Sequence, residues 1–77
     1  MSFEEAKECL EKERYLTISC SSYEETIWKK DGCFHSTMED GLSDGREKIN
    51  KESIIDGLIN CAINNPNDYD IFWDFGT

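Results

Sequence analysis

Apolar residues return every three or four positions at the start of the chain, which is typical of one face of a helix. Ser2 and Glu5 form a capping box, since the Ser2 hydroxyl can accept from the Glu5 amide while the Glu5 side chain reaches back. These patterns predict a helix over residues 2–14. The apolar positions on its face are Phe3, Ala6, Cys9 and Leu10.

The period changes to two after this helix. Leu16, Ile18 and Cys20 alternate with polar residues, which predicts a strand. Asp31-Gly32 then separates two runs rich in aromatic and β-branched residues, which indicates a hairpin because both central residues of a type I′ turn need a positive φ. A two-residue turn places three pairs of residues opposite each other: Lys30 and Cys33, Trp28 and His35, and Thr26 and Thr37.

Both faces of this hairpin carry apolar groups, so the pattern leaves open which face is buried. One face holds Trp28, Cys33 and His35, and the other holds Ile27, Phe34 and Met38.

Residues 39–47 are polar and predict a loop, although Asp44-Gly45 also allows a short extra hairpin through Leu42 and Ile49. A second helix follows, with Asn50 or Ser53 as the candidate cap. It ends before Pro66, because the residue before proline avoids the helical region. Its apolar stripe consists of Ile54, Ile55, Leu58, Ile59, Ala62 and Ile63.

The last segment alternates again and predicts a strand over residues 69–75, with its apolar face in the core. The element order is therefore α-β-β-β-α-β. We expect a single α+β domain over residues 1–77, with a small antiparallel sheet of about four strands and two helices on one face. The last strand has Tyr69, Ile71, Trp73 and Phe75 on one face and Asp70, Phe72 and Asp74 on the other.

Phe72 is unusual because its strand face otherwise holds aspartates. An exposed aromatic among acids suits a protein interface, where aromatic residues dominate the binding energy. A central strand with Phe72 under a loop is the alternative.

Acidic residues are concentrated in two parts of the chain. The 77 residues carry a formal net charge of -9. Residues 31–47 contribute -4, from five acids and one base, and residues 65–77 contribute -3, from three acids and no base. Clustered lysine and arginine are needed to bind nucleic acid or an anionic membrane, so direct binding to either is not expected. A concentrated negative field attracts basic protein surfaces.

Composition and motifs favour a cytosolic protein without catalytic chemistry. No apolar segment suits a signal peptide or a membrane span, so the four cysteines are expected to stay reduced, although their even number permits two disulfides. Cys33 and His35 lie on one strand face, but no second ligand pair accompanies them. They are also ~7 Å apart along the strand, too far for a Cys–His nucleophile. We predict no enzyme activity, metal or cofactor.

The segment Met1-Ser2-Phe3-Glu4-Glu5-Ala6-Lys7-Glu8-Cys9-Leu10-Glu11-Lys12 resembles the start of the Thoeris anti-defence sponges, a family of small phage proteins. Asp70-Ile71-Phe72-Trp73-Asp74-Phe75 is similar to the acidic, tryptophan-bearing strand that closes them. This resemblance implies an oligomer that binds a cyclic nucleotide between subunits. The basic clusters available for phosphates are Lys29-Lys30 and Arg46-Lys48.

In size, acidity and lack of catalytic motifs the chain also resembles phage anti-CRISPR inhibitors. Our first expectation is therefore a stoichiometric inhibitor that binds a Lys/Arg-rich, nucleic-acid-binding surface of a defence protein. Phe72 or Trp28 would anchor it, with His35 opposite Trp28. A nucleotide sponge and a generic protein–protein interaction module are the alternatives, and the oligomeric state stays open. The acids expected to mimic phosphates are Asp40, Asp44, Glu47, Asp70 and Asp74.

Overall fold

A five-stranded antiparallel sheet and two helices make up the fold, in a computed structural model that describes residues 1–39 and 46–74. The predicted α+β class is confirmed, and the sheet has one strand more than the predicted count of about four. A three-residue strand precedes the second helix, so the order is α-β-β-β-β-α-β. The elements are α1 Phe3–Glu11, β1 Tyr15–Ser19, β2 Glu24–Lys30, β3 Cys33–Glu39, β4 Lys48–Asn50, α2 Glu52–Asn64 and β5 Asp70–Asp74.

Helix α1 begins where its capping residue predicts. The Ser2 hydroxyl accepts a hydrogen bond of 3.1 Å from the Glu5 amide. The helix ends at Glu11, before the predicted residue 14, and Glu13 has a left-handed φ of 58° that cannot continue a helix.

Helix α2 begins differently from the prediction. Its N-cap is Lys51, which makes no side-chain cap hydrogen bond. Asn50 instead donates a 2.8 Å hydrogen bond to the Ser36 hydroxyl on the neighbouring strand β3. The expected cap at Asn50 or Ser53 is therefore wrong, because the Asn50 side chain is engaged within the sheet.

The β2–β3 hairpin has the predicted register. Lys30 pairs with Cys33, and Trp28 pairs with His35. Asp31 has a φ of 53° and Gly32 has a φ of 79°, as a turn with two left-handed residues requires. The same register continues beyond Thr26 and brings Glu24 opposite Glu39.

Strand order is β4-β3-β2-β1-β5, so β4 and β5 form the two edges of the sheet. Strand β4 contains Ile49, which the alternative short hairpin included, and pairs with β3. Its other expected member, Leu42, lies outside the described residues. None of the described helices is long and apolar enough to cross a membrane.

The core lies between the helices and one face of the sheet. This settles the buried face of the hairpin: Ile27 and Phe34 point into the core, while Trp28 and His35 lie on the opposite face. We call that opposite face the open face, because the buried residues of both described helices pack on the core side. The buried core residues are Ala6, Cys9, Leu10, Leu16, Ile18, Ile27, Phe34, Ile55, Ile59 and Ala62.

Strand β5 is less buried than its apolar alternation predicts. It pairs with β1 at the edge of the sheet, so the alternative of a central strand is wrong. The expected core residue Trp73 is 39% exposed, and the Arg14 guanidinium lies over its ring at 4.7 Å. Tyr69 precedes the strand and is half-buried against the core. The expected core residue Phe75 lies outside the described residues.

Candidate functional site

The open face carries three rows of side chains that run across the strands. Residues opposite each other in an antiparallel pair point to the same face, so the register defines each row. The acidic row is Asp70, Ser19, Glu24 and Glu39. The threonine row is Phe72, Thr17, Thr26 and Thr37. The aromatic row is Tyr15, Trp28 and His35 and continues to Ile49.

The acidic row brings together carboxylates from three strands. Glu24 and Glu39 are direct neighbours on adjacent strands, and Ser19 separates Glu24 from Asp70. Neighbouring strands lie about 4.8 Å apart, so the row spans about 14 Å. All three acids are exposed, and none takes part in a salt bridge within the described part of the chain. Among residues 1–39 and 46–74, the row is therefore a strip of negative charge without a salt-bridge partner.

The threonine row ends at the edge of the sheet in an exposed aromatic. Phe72 is 48% exposed and lies opposite Thr17, which is itself buried. Hydroxyl groups of neighbouring threonines can donate and accept hydrogen bonds. This part of the face thus combines one large exposed apolar side chain with buried and half-buried threonines beside the acids.

The aromatic row consists of rings in mutual contact. The Trp28 ring lies 5.5 Å from the Tyr15 ring at a tilt of 59°, and 5.8 Å from the His35 imidazole in a nearly parallel stack. The His35 Nδ1–H donates to the Glu47 carboxylate at 3.2 Å. Ring contacts and this hydrogen bond link Tyr15, Trp28, His35 and Glu47 into one aromatic surface.

Charge is distributed unevenly along the open face. The acids lie where β2 begins, and Lys30 lies where it ends. Lys29 points to the core side, where its ammonium pairs with Glu11 at 2.7 Å and lies 5.4 Å from the Phe34 ring. Lys29 and Lys30 therefore leave the strand on opposite faces and do not form the double positive charge that their adjacency predicts.

The predicted site residues are partly brought together. Trp28, His35, Asp70 and Phe72 share the open face, and Glu47 reaches it through its hydrogen bond with His35. The backbone of Asp74 pairs with Tyr15 on β1. Asp40 and Asp44 lie outside the described residues.

Two residues of the acidic row, Glu24 and Glu39, were not predicted as site residues. Extending the predicted pairing of Thr26 with Thr37 outward by two residues places them opposite each other, so the signal was present in the hairpin register.

Ionisable groups away from the open face have structural explanations. Hydrogen bonds with Tyr23 and Cys61 raise the pKa of Tyr69 to about 12. Burial raises the pKa of the Cys9 thiol, and all four cysteines are free. Across residues 1–39 and 46–74, no three His, Cys, Asp or Glu side chains converge as metal ligands would.

Comparison with protein-family models, with curated proteins and with solved structures found no match to this chain.

Proposed function

We propose that the protein is a stoichiometric inhibitor of a bacterial defence protein, the role of the phage counter-defence proteins that it resembles. It acts in the cytosol by binding rather than by catalysis. Its open face covers a basic surface that the target uses to hold nucleic acid, and its carboxylates take the places of phosphates. The acidic row of Asp70, Glu24 and Glu39 is the observation that carries this proposal.

Repulsion within the acidic row destabilises the folded protein when it is alone. Binding of a basic partner would relieve this repulsion, which supports the proposal. Like charges directly opposite each other on neighbouring strands are destabilising. A lysine or arginine of a partner inserted between Glu24 and Glu39 removes that repulsion and forms charge-assisted hydrogen bonds. The field of such a row also accelerates association with positively charged surfaces.

Phe72 supports a protein partner in particular. It is 48% exposed and adjoins the acidic row through Asp70, two residues earlier on β5. Binding energy at protein interfaces concentrates in a few aromatic and arginine side chains surrounded by polar contacts. Together, Phe72 and the acids match a partner that offers an apolar pocket with arginine or lysine at its rim.

The test is capture of partners from bacterial lysate by the immobilised protein at low and high salt. Glu24→Gln/Asp70→Asn should lose most of the captured protein, because it removes two charges from the row. Glu4→Gln/Glu5→Gln is the matched control, since it removes two exposed charges from α1 and should retain the partner. Retention by the wild type should fall steeply with salt.

The captured protein must then bind nucleic acid, and that binding must fall when the inhibitor is added at an equimolar ratio. Equal capture by both double variants, or capture that salt does not change, would contradict the proposal. A thermal shift with a cyclic-nucleotide panel, in place of a protein partner, would favour the sponge instead.

A further inference from the structure

We propose that the outer edge of β5 receives an extended, basic segment of the partner as a sixth strand of the sheet. This inference rests on the proposed function and identifies one part of the partner that it requires. The partner would thus form main-chain hydrogen bonds along the edge of β5 in addition to side-chain contacts on the open face.

Strand β5 has one neighbouring strand, β1, in the described sheet. It pairs with β1 over five residues, from Tyr15 opposite Asp74 to Ser19 opposite Asp70, and the sheet order ends with it. In a strand, alternate N–H and C=O groups point to either side, so half of those of β5 point away from β1, toward the position of a sixth strand. The other edge strand, β4, has three residues and offers a shorter template.

The side chains of β5 suit an added strand on both faces of the sheet. Phe72 is exposed on the open face, and Trp73 is 39% exposed on the core face beside half-buried Ile71. A strand next to β5 would place apolar side chains against Ile71 and Trp73 on one face and against Phe72 on the other. It would thereby extend the core and cover Phe72 at the same time.

The charges of β5 favour a basic segment of the partner over a second copy of this chain as the added strand. The strand reads Asp-Ile-Phe-Trp-Asp, with an acid at each end of three apolar residues. Antiparallel pairing of two copies centred on Phe72 would match the apolar residues but oppose acid to acid, at Asp70 and Asp74. A segment with a lysine or arginine on each side of three apolar residues would oppose base to acid at both ends.

The probe is a labelled nine-residue peptide with Lys-Val-Tyr-Val-Lys at its centre, and binding is measured by fluorescence anisotropy. Replacing both lysines by glutamates should weaken binding at least tenfold. Methylating the alternate backbone nitrogens that would face β5 should also weaken binding at least tenfold, because it removes main-chain donors and keeps every side chain. In Asp70→Lys, a glutamate opposite residue 70 should bind better than a lysine.

Equal affinity of the methylated and unmethylated peptides would overturn the edge pairing, and so would the absence of any binding. A dimer in sedimentation that the peptide does not dissociate would also overturn it in favour of a second copy. These results leave the proposed function intact if Glu24→Gln/Asp70→Asn still loses the captured partner. Loss of peptide binding together with unchanged capture by that variant would overturn both.

Discussion

Glu24 and Glu39 lie directly opposite each other on β2 and β3, on the face of the sheet that the helices leave open. None of the salt bridges among the described residues involves either carboxylate. A sheet selected only for stability would place opposite charges at this pair. The Glu24–Glu39 pair thus lowers the stability of the fold, while we propose that it favours binding of a basic partner.

Glu24→Gln should stabilise the protein and weaken partner capture. Removing one charge relieves a cross-strand repulsion of roughly 0.2–1 kcal/mol at low salt. The gain in the free energy of unfolding, measured with urea, should shrink as salt is added. Glu4→Gln serves as the control, since it removes a charge from α1 without relieving this pair. A destabilised Glu24→Gln protein would mean that the two carboxylates do not repel each other in the folded state.

Glu25→Gln should stabilise the protein at neutral pH. Burial raises the pKa of Glu25 above the ordinary 4.5, against opposing effects of the Ser36 hydroxyl and Lys48, and its Oε1 has no hydrogen-bond partner among the described residues. Since the folded pKa is raised, the stability that protonated Glu25 contributes is complete below the unfolded pKa. It is lost as the pH rises through the folded value. Glutamine is neutral at every pH, so the variant avoids this loss. Its free energy of unfolding at pH 7 should exceed that of wild type by about 1 kcal/mol.

Urea unfolding of wild type and Glu25→Gln at several pH values checks this. The gain in stability of the variant over wild type should narrow as the pH falls from neutral toward 4.5. A stability difference between variant and wild type that stays constant across this pH range would show that the charge of the Glu25 carboxylate does not cause it.

Lys7→Met should destabilise the protein by about 1–2 kcal/mol. Its ammonium lies 2.5 Å from the Asp56 carboxylate and 3.0 Å from that of Glu52, so it ties α1 to α2, and its side chain is 19% exposed. Burial lowers the pKa of Lys7, but the two hydrogen bonds outweigh burial and raise it. The stability difference between wild type and variant should therefore persist up to pH 10.5 and decline above it.

Lys12→Met is the matched control for Lys7→Met. Its ion pair with Glu8 is largely exposed, so the free energy of unfolding should change little. Equal losses in both variants would indicate that helix propensity rather than the link between the helices is responsible.

Ser2→Ala and Ser53→Ala should differ, although the sequence makes both serines candidate caps. Ser2 caps α1 through a real hydrogen bond, so its loss should cost about 1 kcal/mol. The N-cap of α2 is Lys51, so Ser53→Ala should change stability by less than about 0.5 kcal/mol. Thermal unfolding of both variants measures the difference. A comparable loss in Ser53→Ala would show that α2 begins later in solution.

Local patterns predicted much of this fold. Asp31-Gly32 determined the register of the hairpin because few residues adopt two successive left-handed conformations. The helix cap at Ser2 was also predictable, because it depends on residues only three positions apart. The buried side of the hairpin was not predictable, since both of its faces hold apolar groups. Which face is buried depends on where the two helices, distant in sequence, pack.

The features that form the candidate site depend on contacts distant in sequence. The acidic row needs Asp70 on β5 beside β1, which no local pattern specifies. Lys7 and Glu11 have the spacing of a pair within α1, yet Lys7 bonds to α2 and Glu11 bonds to Lys29. The ion-pair partners of long side chains depend on how the helices and strands pack, so sequence spacing alone does not determine these partners.

The position of β5 in the sheet has a consequence for the order of folding. Ile18 pairs with Ile71, 53 residues away by the difference of their numbers, whereas Lys30 pairs with Cys33 across a two-residue turn. Closing the longer loop costs more chain entropy, so β5 should join last and detach first. Amide hydrogen exchange should therefore be faster in β5 than in β2. The fifth strand has an attachment equilibrium of its own, and whatever binds it shifts that equilibrium toward the closed sheet.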